Sequence, residues 1–125
     1  MRAAVTNEAI ARMAIEEIWN QRNPDAIDHL CAANYMAREP RAGDRPGREG
    51  LRQMVCAAHS AAPGARLSVD LVVAQGDRVA VGYSVQNGSR ARVRGALHVR
   101  IARGQIRESW GTVRLLELLQ GGGSA

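Results

Sequence analysis

The chain has 125 residues, 46% of them hydrophobic, which is enough for one domain with its own core. Its net charge of +5 rests on arginine alone, and two Trp, two Tyr and no Phe are too few aromatics for the charge-and-stacking pattern of a nucleic-acid binder. No stretch reaches the roughly 18 apolar residues of a membrane span. The N-terminal Met1 to Glu8 has no apolar h-region, so no secretory signal is expected and the reading is cytoplasmic.

The first predicted helix runs from Thr6 to Gln21, with Ile10, Ala11, Ala14, Ile15 and Ile18 in one arc and Trp19 at its edge. Thr6 or Asn7 is its N-cap. Asn23-Pro24-Asp25 stops it and starts a short second helix to about Ala32. Residues 35–47 read as a loop, with a short extended piece around Tyr35 to Arg38. A third helix covers Gly47 to Ala61, with Leu51, Met54, Val55 and Ala58 as its stripe, ended by Pro63-Gly64.

The period then changes from 3.6 to 2. Leu67, Val69, Leu71 and Val73 alternate in a first strand, and Val79, Val81, Tyr83 and Val85 in a second. Asn87-Gly88 is a hairpin turn. A third strand spans Arg90 to Ala102, and Arg90, Arg92 and Arg94 line one of its faces. A fourth runs from Gln105 to Val113 and carries Ile106 and Trp110. A leucine-rich end then covers an apolar edge, and residues 121–125 read as a disordered tail. The expected whole is a single domain over 1–120, α+β, with an antiparallel meander packed against three N-terminal helices.

Cys31 and Cys56 are too few for a disulfide framework and read as reduced, buried small residues. His29, His59 and His98 lack metal-ligand spacing. There is no Walker loop, dinucleotide fingerprint or nucleophile elbow. No cofactor or metal is expected.

The ordered set Trp19-Asn20, Asn23-Pro24-Asp25-Ala26-Ile27, Pro46-Gly47-Arg48-Glu49-Gly50-Leu51, Gly76-Asp77-Arg78-Val79-Ala80-Val81, Arg100 to Ile106 and Glu108-Ser109-Trp110 resembles the SnoaL-like polyketide cyclases of the nuclear-transport-factor-2-like superfamily. The resemblance runs from about Asn7 to Gln120. It implies a curved, cone-like sheet enclosing a cavity against the helices, in a homodimer. Members include cyclases, isomerases, epoxide-opening enzymes and proteins without known catalysis. Relatives often carry His where this chain has Arg38, and Asp after the late Trp or a few residues on, where it has Gly111 and Arg114. The aspartate base is therefore not carried over.

Other side chains must move the proton. Glu108 is the only carboxylate in the last strand, and strict alternation puts it on the face of Ile106 and Trp110. Burial there raises a carboxyl pKa into a useful range for a base. His98, mid-strand, is the second acid/base candidate, since histidine titrates near neutrality. Tyr83 is the hydroxyl donor of the catalytic set. Tyr35 and Arg38 serve as further oxygen-polarising groups, with Trp110 and Trp19 as apolar walls. Ketosteroid isomerase, with its Asp base and its Tyr and protonated Asp donors, shows how such a pocket runs without a cofactor.

The reading that follows is a cofactor-independent cyclase or isomerase of specialised metabolism, acting on a polyketide-like intermediate or a modified peptide. A non-catalytic binding or assembly module is the rival, and its sign is a pocket whose polar groups satisfy one another. An epoxide hydrolase ranks below, for want of partner carboxylates. Neither nucleic acid nor membrane is an expected partner.

Overall fold

The computed structural model describes residues 6–38 and 45–119. The expected tail at 121–125 lies outside them.

Helix α1 (Asn7–Ala14) starts where expected, because the Thr6 side chain accepts a hydrogen bond from the Ala9 backbone N–H and Glu8 sits in the positive first turn. It continues unbroken into a π-helical turn, Ile15–Asn20. The wider winding lets the neighbours Ile18 and Trp19 both turn inward. Asn20 then clamps the sheet: its Oδ1 accepts from the Leu67 N–H at 2.8 Å and its Nδ2 donates to the Leu67 carbonyl at 2.9 Å. Arg22, at φ +58°, donates to the carbonyls of His59 and Ala62 at the C-terminal end of the third helix.

Helix α2 (Ala26–Leu30) leads directly into strand β1 (Cys31–Arg38). This extended stretch is longer than the sequence suggests. A two-residue strand β2 (Arg45–Pro46) precedes α3 (Gly47–Ala61), and Arg52 of α3 pairs with Asp28 of α2 at 3.0 Å. Leu51, Val55 and Ala58 of α3 are buried, whereas Cys56, expected inside, is exposed.

The remaining strands are β3 (Ala65–Gln75), β4 (Arg78–Asn87), β5 (Val93–Ala102) and β6 (Gln105–Trp110). One mixed sheet results, in the order β2-β1-β6-β5-β4-β3. The expected meander β3 to β6 is present, and β1 adds to its end parallel to β6. Arg90 and Arg92 precede β5, so only Arg94 of the expected arginine stripe lies on the strand. The leucine-rich end is helix α4 (Thr112–Leu119), with Leu115 and Leu118 buried in the core. A fourth helix therefore joins the three N-terminal ones over the sheet. No helix among the described residues is long and apolar enough to cross a membrane.

Two β-bulges break the strict alternation. In β3, Val69 pairs with Tyr83 but Leu71 pairs with Gly82, so Asp70 is the extra residue. Beyond it Val72 turns toward the core, while Leu71 and Val73 are 63% and 55% exposed on the outer face. In β6, Ile106 pairs with Ile101 but Glu108 pairs with Arg100, so Arg107 is extra. Ile106 and Ser109 are buried on the helix-covered face, and Glu108 and Trp110 point the other way.

Candidate active site or ligand cavity

Between the helices and the covered face of the sheet lies a cavity of about 480 Å³ of empty space, its open side included. Ala14, Ile15, Ile18 and Trp19 form one wall, Leu51 and Leu115 another, and Val81, Leu97, Val99 and Ile106 the sheet side. The polar side chains in this lining are Cys31, Tyr35, Ser109 and Thr112. Tyr35 Oη is 2.6 Å from Ser109 Oγ, and Ser109 Oγ is 2.9 Å from Thr112 Oγ1. Three hydroxyls thus form a chain along one side of an apolar chamber. Burial pushes the Cys31 thiol up to about 12, so it is a neutral, unreactive lining group.

Of the expected site residues, Tyr35 and Trp19 line this cavity. The others lie elsewhere. Glu108 and His98 are on the opposite face of the sheet, which corrects their expected convergence on the pocket. The bulge at Arg107 is the reason for Glu108, since it separates Glu108 from the face of Ile106. Glu108 accepts from Arg38 Nε at 2.9 Å and from Arg100 Nε at 2.5 Å. Those two guanidinium groups, Arg100 first, hold its carboxyl below the usual range, the reverse of the expected upward shift. A carboxylate so held is a poor base near neutrality. Arg38 belongs to this ion-pair ladder and not to the cavity lining.

His98 stacks on Trp110 with ring centroids 4.8 Å apart, and the Arg78 guanidinium lies 5.1 Å from the Trp110 ring centre. Trp110 is therefore a platform on the outer face and not a pocket wall. Tyr83 is fully buried in the core, outside the cavity lining, and its hydroxyl has no hydrogen-bond partner among the described residues. Burial pushes that hydroxyl up to about 12. Its ring packs over Gly95, where a Cβ would lie 2.6 Å from the Tyr83 oxygen. His59 holds Trp19 from behind: its Nε2 is 3.2 Å from the Trp19 carbonyl oxygen, and burial, with Arg22 nearby, lowers its pKa.

Ser109, Thr112 and Cys31 are lining residues that the sequence pattern does not single out. Ser109 sits between the two residues that it does, Glu108 and Trp110, and the Arg107 bulge exchanges their orientation with its own. Gly111 accounts for the first of the two places where relatives carry the aspartate. It turns the chain from β6 into α4 at φ +97°, and a Cβ there would lie 2.8 Å from the Ala96 carbonyl oxygen. The turn this chain uses excludes a side chain at that place and aims the Thr112 hydroxyl inward. No carboxylate or histidine lines the cavity among the described residues, and no group of His, Cys, Asp and Glu among them is placed to hold a metal.

A helix-covered, curved mixed sheet around an apolar chamber defines a nuclear-transport-factor-2-like fold. More narrowly, the chain belongs to the SnoaL-like domain family, whose model matches residues 11–109. Its fold is similar to that of a candidate SnoaL-like polyketide cyclase from Jannaschia sp. CCS1, at 14% identity over 96% of each chain and a TM-score of 0.76. A candidate polyketide cyclase from Acidithiobacillus ferrooxidans matches at 18% identity over 95% of this chain and 99% of the other, TM-score 0.75. A candidate ketosteroid isomerase from Kribbella flavida matches at 21% identity over 83% and 74%, TM-score 0.68. No curated protein is similar enough in sequence to match the chain.

Proposed function

We propose that this protein is a small-molecule-binding member of the SnoaL-like family, whose cavity takes a compact, largely apolar ligand without a cofactor. The observation that carries this reading is the lining: aliphatic and indole walls, with polar groups that hydrogen-bond to one another. Apolar surface removed from water drives binding at roughly 25 cal/mol per Å². A general-base mechanism through Glu108 and His98 has no support in this geometry.

Trp19 lines the cavity and Trp110 does not, so the full chain carrying Trp110→Phe leaves Trp19 as the sole tryptophan reporter. Titration with 1-decalone is expected to change Trp19 fluorescence saturably. Ala14→Phe, which fills the chamber, is expected to abolish the change while circular dichroism stays native. A titration with no saturable change overturns the reading.

The hydroxyl chain favours a second reading, a cyclase or isomerase acting on a natural-product intermediate, polyketide-like or a modified peptide. In it the chamber folds the substrate into a reactive shape and Tyr35 polarises a carbonyl oxygen. Turnover of an unsaturated ketone that falls at least about tenfold in Tyr35→Phe supports this reading. Turnover unaffected by that change removes Tyr35 from it. The expected homodimer is proposed to form through the outer face of the sheet, where Leu71 and Val73 stand exposed. Leu71→Arg with Val73→Glu is expected to give a monomer by light scattering, and an unchanged dimer rules out that face.

A further inference from the structure

The cavity ligand's polarity is legible from the hydroxyl chain, given the binding reading above. Ser109 is the middle member, between Tyr35 and Thr112, and in each contact either oxygen can be the donor. The chain therefore runs in two directions. When Tyr35 donates to Ser109 and Ser109 to Thr112, the Thr112 proton is left to point at the ligand. When Thr112 donates to Ser109, the Thr112 oxygen keeps a lone pair for the ligand instead. Thr112 is 3% exposed, lines the cavity, and has no side-chain hydrogen-bond partner besides Ser109 among the described residues. Both states use the same heavy-atom positions and differ in the turn of the hydroxyl protons.

The surroundings narrow the ligand further. Among the described residues no arginine and no histidine lines the chamber, so nothing in that lining neutralises a charge taken out of water. We infer that Thr112 is the ligand-reading residue of the cavity, and that it selects a neutral oxygen, ketone or alcohol alike, on an otherwise apolar ring system. A carboxylate or phosphate is rejected. Gly111 makes this possible by placing Thr112 at the first turn of α4 with its side chain inward.

The test uses the full chain with Trp110→Phe and three probes on one decalin frame: 1-decalone, 1-decalol and decalin-1-carboxylate. The ketone and alcohol are expected to bind within about threefold of each other, and the carboxylate at least about a hundredfold more weakly. Thr112→Val is expected to weaken the ketone and alcohol alike by about tenfold, and Thr112→Ser to restore both. The three-probe comparison needs no variant at Thr112, so it stands even where Thr112→Val fails to fold. Decalone and carboxylate binding equally, or wild-type affinity in a folded Thr112→Val, overturns the inference and leaves the apolar cavity standing. Binding of no probe overturns both.

Discussion

The two faces of strands β5 and β6 are built from alternating residues of the same segments, yet they differ in kind. One face gives Leu97, Val99, Ile106 and Ser109 to the apolar chamber. The other carries His98, Arg100, Glu108 and Trp110 in ion pairs and ring stacks. Every residue that looks chemically interesting in the sequence of these strands is on the second face. Titratable groups on a sheet are not evidence of a site until their side is known, and a single bulge decides that side. Among the described residues, the polar groups left to face the cavity are the neutral side chains of Cys31, Tyr35, Ser109 and Thr112.

The largest expected effect breaks the corner between the two faces. Gly111→Ala forces a side chain to φ +97° and against the Ala96 carbonyl. It should cost about 2–4 kcal/mol in urea unfolding, and wild-type stability would show that the turn tolerates a Cβ.

A smaller effect separates the two tyrosines. Tyr83→Phe removes a buried hydroxyl without a hydrogen-bond partner among the described residues and should stabilise the protein by about 1 kcal/mol. Tyr35→Phe removes a buried hydroxyl bonded to Ser109 and should destabilise it by about the same amount. Equal effects of both changes would erase the distinction between core and cavity tyrosine.

The smallest effect concerns pH. Because Arg100 and Arg38 lower the Glu108 carboxyl in the folded state, its contribution is present above the unfolded carboxyl value of about 4.3 and lost as pH falls through the lower folded value. Glu108→Gln should therefore be less stable than wild type at pH 7, and the gap should close at acid pH. A gap that widens on acidification would contradict the ion-pair reading.

Much of the layout is legible in the sequence. The Thr6 cap, the 3.6-residue stripe through Ile18 and the alternation Val79 to Val85 mark the elements that become α1 with its π-helical continuation and β4. The parallel pairing of β1 with β6 is not, because it joins Cys31–Arg38 to Gln105–Trp110 across most of the chain and no local pattern encodes it. Nor are the bulges. Asp70 and Arg107 are ordinary residues, and nothing in their identity says that they go uncounted in the ladder. For the candidate site, Trp19 and Tyr35 can be named in advance, because helix edge and extended segment both point them inward. Ser109 and Thr112 cannot, since the direction of one depends on the Arg107 bulge and that of the other on the Gly111 turn.

Ligand binding, on this reading, belongs to the hydroxyl-lined chamber and not to the outer charged face. Comparing 1-decalone affinity in the Glu108→Gln/His98→Ala double variant with that in Ser109→Ala tests it directly, each read by Trp19 fluorescence in the Trp110→Phe background. The double variant should bind within about twofold of its parent, and Ser109→Ala about tenfold more weakly. Loss of binding in the double variant with Ser109→Ala unaffected would return the site to Glu108 and His98.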